Sequence, residues 1–259
     1  MRFLFIGDVV GKPGRTALNR HLPKLIDQHA VDFTIANAEN SAGGAGATPE
    51  TCEEMFSAGV DCLTSGNHIW DKKEIFPYLA REPRLLRPAN YPDPNPGAGV
   101  YIGRSRDGAR VAIVNLMGRV FLVNVDCPFR AADAILDELR GRADCVVIDM
   151  HAEASSEKMA MGWYVDGRVA ALIGTHTHVP TADERVLPKG TAYLTDVGMT
   201  GPFDSVIGVD KTQVLERFLT QRNVKFHTAE GDVRLYAALI DIDTATGLST
   251  RIERIVLKG

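Results

Sequence analysis

Asp8, Glu39 with Asn40, Asn67 with His68, His151, and His176 with His178 are carboxylate, amide and imidazole side chains, and each group closely follows a short apolar run. Five separate segments would thus deliver ligand-type groups to the carboxyl ends of strands, where α/β proteins place their binding crevices. Such a mixture suits first-row divalent ions such as iron, manganese or zinc, because calcium prefers oxygen alone and these blocks hold no thiolate. The groups outnumber what one ion can take. Two ions roughly 3.5 to 4 Å apart, bridged by a carboxylate, would use them and provide a clamp for phosphoryl chemistry. Four of the seven histidines lie in these blocks, while His21, His29 and His227 fall on helix or loop positions that suggest solvent exposure.

Taken singly, the blocks have plainer readings. Gly7-Asp-Val-Val-Gly-Lys-Pro-Gly-Arg15 superficially looks like a phosphate-cradling loop, but its glycines stand four apart and Pro13 occupies the hydroxyl position, removing a backbone donor. Lys12 and Arg15 read first as surface charges and second as phosphate contacts. Asp8 alone would be a turn or cap residue, and Asn67 with His68 could cap a helix. Isolated, His151 would be a satisfied buried histidine. His176-Thr-His178 is stronger, since alternate residues of an extended segment point to one side. Gly43-Gly44 and Gly46, and the stretch Thr195–Gly201, are either turns or substrate-facing loops. Trp163 and Tyr164 are packing groups before they are base-stacking ones.

The elements that must position these groups alternate. Phe3 to Ile6, Asp32 to Ala38, Val60 to Thr64, Cys145 to Asp149 and Ala170 to Ile173 have the length and apolarity of buried strands. Helical spacing covers 17–29, a segment starting near Thr48-Pro49, 69–80, 130–140 and 155–161. Val100–Ile102 with Val111–Met117, and Leu235–Ile242 with Arg251–Val256, read as hairpins, and the proline-rich stretch Arg87–Pro96 as an ordered surface loop. A chain of 259 residues that is 45% hydrophobic can bury a large core, and a single domain over 1–259 is expected. The net charge of −4 offers no general attraction to nucleic acid or anionic membrane, so a phosphate-bearing substrate must be captured locally. Cys52, Cys62, Cys127 and Cys145 form no C-x-x-C pair and read as thiols in a reducing compartment. No apolar stretch approaches 18 residues, so a cytoplasmic protein without membrane attachment is expected.

In their order, Gly7-Asp8, Glu39-Asn40, Gly66-Asn67-His68, His151 and Gly174-Thr-His-Thr-His178 resemble the calcineurin-like metallophosphoesterases. The combination GDVVGKPGR, NAENSAGG, SGNHIWDK, DMHAEASSEK and GTHTHVPTAD is similar, more narrowly, to the YmdB-like branch. The resemblance implies an α/β sandwich of two mixed β-sheets flanked by helices, two divalent transition-metal ions, and 2′,3′-cyclic nucleotide 2′-phosphodiesterase activity with a 3′-nucleotide product. It assigns one ion to Asp8, Glu39, Asn40 and His178 and the other to Glu39, Asn67, His151 and His176, with Glu39 bridging. A bridging hydroxide would attack, and His68, carrying no metal, would act as general acid. The superfamily's D-x-H histidine is replaced here by Val10, which makes Asn40 the substitute ligand. Ala42 stands where an aspartate often orients the catalytic histidine, leaving Asp71 as the candidate for that task. The expected partner is a small cyclic nucleotide, with nucleic acid involved only as an RNA-derived end; a homo-oligomer is compatible. The rival readings are a phosphomonoesterase or protein phosphatase with the same site, an RNA-linked regulatory binding protein, and an amidohydrolase, whose H-x-H usually lies on the first strand.

Overall fold

A computed structural model describes residues 1–259. The first half contains β1 (Arg2–Ile6), β2 (Asp8–Val9), α1 (Gly11–His29), β3 (Phe33–Asn37), α2 (Pro49–Ala58), β4 (Cys62–Thr64), a 3₁₀ turn at Asn67–Trp70 and α3 (Ile75–Leu79). Then come β5 (Val100–Arg104), β6 (Arg110–Met117), α4 (Pro128–Leu139), β7 (Cys145–His151), α5 (Ser155–Val165), β8 (Ala171–Thr175), β9 (Arg185–Val186), β10 (Ala192–Leu194), β11 (Met199–Pro202), α6 (Lys211–Thr220), β12 (Val233–Ile242) and β13 (Ser249–Lys258).

Two mixed sheets result. One runs β2-β11-β12-β1-β3-β4 with β13 also on β12; the other runs β5-β6-β7-β8-β10-β9. Both faces of each sheet are covered, which is why the inner strands are continuous apolar runs rather than alternating ones. On β1, Phe3 and Phe5 face the second sheet and join Ile35, Ile113, Val147 and Ile173, while Leu4 and Ile6 face α1 and α2 and meet Leu18, Leu22 and Met55. A third core packs Leu136 of α4 and Met161 of α5 on Val114, Ile148 and Leu172 of the second sheet. Fully burying one such side chain contributes roughly 1.5–3 kcal/mol. The expected sandwich of two mixed sheets flanked by helices is therefore the observed architecture, and no helix is long and apolar enough to cross a membrane.

The glycines of the opening stretch have a packing role. A Cβ on Gly7 would lie 1.9 Å from Gly198 O, and one on Gly14 would lie 2.3 Å from Thr200 O. Gly7 N donates to Tyr236 O and Asp8 N to Gly198 O, so the chain leaves its pairing with β12 at Gly7 and pairs with β11 at Asp8. Asp8 thus starts a two-residue strand, where the sequence suggested only a loop. Helix α1 begins at Gly11 rather than near Ala17: Pro13 lies in its first turn, where the missing N–H has no intrahelical partner to lose.

Other expectations need correction. The helix expected over 69–80 is split, because Asp71 turns back onto His68 and Trp70 packs on Phe76 and Tyr91, leaving α3 to begin at Ile75. β9, β11 and α6 were not anticipated as elements; of the α6 residues only Val214 is buried. His21 and His29 are half-buried, and only His227 of the three outlying histidines is exposed.

Candidate metal centre

The parallel strands of both sheets end on the same side, and their carboxyl ends bring together all seven ligand-type side chains. Asp8, Glu39, Asn40 and Asn67 come from the first sheet, and His151, His176 and His178 from the second. Glu39, His151 and His176 place their ligand atoms within 4.8 Å of one another. His151 Nε2 lies 3.0 Å from Glu39 Oε1, 3.3 Å from Asn67 Oδ1 and 3.0 Å from His176 Nδ1. A neighbouring group holds the rest: His178 Nε2 is 3.0 Å from the Asn40 side-chain nitrogen and 3.7 Å from Asp8 Oδ1. Asn40 Nδ2 also reaches Glu39 Oε1 at 3.4 Å, so Glu39 is common to both groups. Gly66 permits this approach, since a Cβ there would sit 2.1 Å from the His151 ring and 2.5 Å from Glu39 Oε2.

The outer hydrogen bonds decide which ring nitrogens face inward. Thr175 Oγ1 donates its single proton to Asp149 Oδ1 at 2.7 Å, so it can only accept from His151 Nδ1 at 2.9 Å. His178 Nδ1 must donate to Ile207 O at 2.8 Å, and His176 Nε2 meets the Glu153 carboxylate at 3.0 Å. Each imidazole consequently turns its other ring nitrogen toward the centre, the arrangement that metal-ligating histidines adopt. Asp8 Oδ1 is buried without a hydrogen-bond partner. Carboxylate oxygens, an amide oxygen and imidazole nitrogens thus face one another, a donor set that fits a divalent metal ion.

The electrostatics agree. Burial opposes charge on Glu39, yet His151 overcomes it and lowers Glu39 to about 2. Burial likewise opposes charge on His151, but Glu39 raises it to about 9, and burial with the His151 charge lowers His176 to about 3. A proton on His151 supplies positive charge where a metal would replace it, so metal uptake there would be coupled to proton release.

Two buried devices hold the centre. Asp149 accepts from Thr64 Oγ1 at 2.5 Å, Thr175 Oγ1 at 2.7 Å and Asn37 Nδ2 at 3.1 Å, tying the two sheets together under His151. Lys158 and Asp196 form a fully buried ion pair at 2.7 Å, and Asp196 also accepts from Thr177 N, Thr177 Oγ1 and Gly198 N. That clamp positions the histidine loop. His176 and His178 have φ of 100° and 64°, so they reach the centre through left-handed backbone and not as alternate residues of an extended segment. The Thr195–Gly201 stretch is buried and buttresses this loop instead of facing a ligand.

His68 stands on the rim. Its N–H donates to Glu39 Oε2 at 3.0 Å, and its ring Nδ1 lies 2.8 Å from Asp71 Oδ2. Asp71, the candidate for orienting His68, is thus in contact with it. Lys12 is exposed beside a different recess, and Arg15 is tied to Glu54 and to Ser41 O, so neither faces the centre. Trp163 and Tyr164 lie on α5 away from the cavity, against Arg185 and Phe129. Gly43 and Gly44 do line that cavity, together with Glu153 and Phe226, which the sequence did not single out, and His227, expected only to be exposed. Glu153 follows His151 by two residues, a signal available in the sequence; Phe226 and His227 carried none.

Known proteins share this architecture and sequence. A protein of Bacillus subtilis (strain 168) named 2′,3′-cyclic-nucleotide 2′-phosphodiesterase is 49% identical over 257 residues, covering 99% of this chain and 97% of that one. The crystal structure of a hypothetical protein from Thermus thermophilus superposes with a TM-score of 0.94 at 44% identity, covering 100% of this chain and 99% of that one. The structure of a novel phosphatase from Mycoplasma pneumoniae gives 0.94 at 34% identity, covering 100% and 93%. The family model described as YmdB-like protein matches residues 4–255, and the chain belongs to that family.

Proposed function

We propose that this chain is a metal-dependent phosphodiesterase that hydrolyses 2′,3′-cyclic nucleotides, with the 2′ oxygen leaving and a 3′-nucleotide as product. The observation that carries the reading is the inward convergence of three imidazole ring nitrogens with Asp8, Glu39, Asn40 and Asn67 beside a histidine that belongs to neither group. The substrate class is supported by the name of the Bacillus subtilis relative. Asp8, Glu39, Asn40 and His178 would hold one ion and Glu39, Asn67, His151 and His176 the other, with iron or manganese preferred and zinc also compatible with the donors. When bound, such ions supply positive charge against the phosphate oxygens and a water acidic enough to attack near neutral pH.

The chain's own residues account for the rest. Glu39 serves both groups and fixes their separation. With Asp71 accepting from Nδ1, His68 presents Nε2 to the cavity as the proton donor. As the new O–P bond forms and the P–O2′ bond breaks, the Nε2 proton passes to O2′, so the alkoxide does not leave as an anion. Such a donor contributes roughly 10²- to 10⁴-fold. Product analysis on 2′,3′-cyclic AMP beside p-nitrophenyl phosphate tests the substrate assignment: 3′-AMP should form with a much higher kcat/KM than that for the monoester. A preference for the monoester would transfer the site to the phosphomonoesterase reading.

A further inference from the structure

The cavity that contains the ligand cluster is about 550 Å³, within the range of small-molecule sites, and it is not polar throughout. Its lining includes the polar groups Glu39, Asn40, His68, His176 and His178 and also the apolar side chains Val179, Ile207, Val209 and Phe226. Val179 is 56% exposed, Ile207 51% and Phe226 41%, so three sizeable apolar side chains stand uncovered in the same cavity as a charged cluster. Single exposed apolar residues need no explanation, but a group of them continuous with a reactive site does.

Ile207 ties this wall to the centre. Ile207 O accepts the Nδ1 proton of His178, so the residue that orients an inward-facing imidazole also contributes a side chain to the wall. Ile207 has φ of 47°, a conformation costly for a β-branched residue, of the kind that accumulates at ligand sites. Phe226 has the Arg217 guanidinium over its ring at 5.4 Å, and the backbone N–H of the next residue, His227, is anchored to Gln213 Oε1 at 2.8 Å. The ring is thereby held against Arg217 of α6 and also lines the cavity.

We propose that Phe226, with Ile207 and Val179, forms the nucleobase subsite, against which the base stacks while the cyclic phosphate lies against the ligand cluster. This rests on the cyclic-nucleotide reading above. A 2′,3′-cyclic nucleotide carries its anionic phosphodiester and its flat base on one ribose, so it needs a charged subsite and an apolar one in a single cavity. Stacking on an aromatic ring is tolerant of base identity because every base presents a π-face. The wall gives binding rather than chemistry, so its effect belongs in KM.

The test compares metal-loaded wild type, Phe226→Ala and Phe226→Trp on 2′,3′-cyclic AMP and on methyl riboside 2′,3′-cyclic phosphate, which lacks a base. The expected result is a KM for 2′,3′-cyclic AMP raised roughly 10- to 100-fold in Phe226→Ala, with kcat retained, and recovered in Phe226→Trp. The base-free substrate should show no change. A KM unaltered for the nucleotide, or raised equally for both substrates, overturns the subsite. Saturation-transfer NMR with adenosine separates this failure from failure of the cyclic-nucleotide reading. Transfer to the adenine H2 and H8 protons, lost in Phe226→Ala, supports the subsite even if neither cyclic substrate is hydrolysed; no transfer in wild type overturns it.

Discussion

His68 Nδ1 and Asp71 Oδ2 are 2.8 Å apart on the rim of the cavity, both side chains about two-fifths exposed, beside a cluster whose Glu39 and His151 are fully buried. An exposed pair of this kind contributes at most about 1 kcal/mol to stability. Its value lies in aiming Nε2. His68→Ala should therefore retain its metals and melting temperature while losing roughly 10²- to 10⁴-fold in kcat on diesters with poor leaving groups, and much less on nitrophenyl diesters. Asp71→Asn should show the same pattern in weaker form. Equal losses on both kinds of leaving group would remove His68 from the role of acid.

The Asp149–Thr175–His151 chain can be separated from packing by choice of variant. Thr175→Val keeps the shape and loses the hydroxyl, so His151 loses the acceptor that fixes its tautomer. Metal affinity, measured by competition with a chromophoric chelator, should fall about 10- to 100-fold. Thr175→Ser restores the hydroxyl and should restore the affinity. Indistinguishable affinities for Val and Ser would show that the hydroxyl does not tune the ligand.

How much of this was legible beforehand differs by feature. Strand ends and ligand types could be read directly, because a buried strand has an apolar run and a ligand must be polar where that run stops. Asp8, Glu39, Asn67 and His151 accordingly lie where that pattern puts them. The left-handed backbone at His176 and His178 could not be read, since it goes with Asp196 gripping Thr177 from the connection between β10 and β11. The same holds for Gly7 and Gly14, whose need for close approach arises from Gly198 and Thr200, far along the chain. Phe226 offered nothing in sequence because its role comes only from which cavity it lines.

The Lys158–Asp196 pair predicts a large stability effect. Truncating one partner leaves a charge buried without compensation, which costs about 3–5 kcal/mol. Lys158→Met should lower the urea-unfolding free energy by that amount. A change below about 1 kcal/mol would show that the pair is not the clamp its burial indicates.

Thiol reactivity should divide the four cysteines. Burial pushes Cys52, Cys62 and Cys145 up, Cys145 to about 12, so they remain protonated and shielded. Cys127 is lowered by the Arg130 backbone N–H at the start of α4 and is only partly buried. Maleimide at neutral pH should label Cys127 in the native protein and all four after denaturation, as read by peptide mass mapping. Rapid native labelling of Cys62 would contradict the packing of the inter-sheet core.

Metal quantification combined with product analysis on one preparation tests the central claim most directly. Freshly purified wild type should carry about two transition-metal ions per chain and convert 2′,3′-cyclic AMP to 3′-AMP, and Glu39→Ala should lose most of the metal and the turnover together. Undiminished 3′-AMP formation by protein stripped to well below one ion per chain would contradict it.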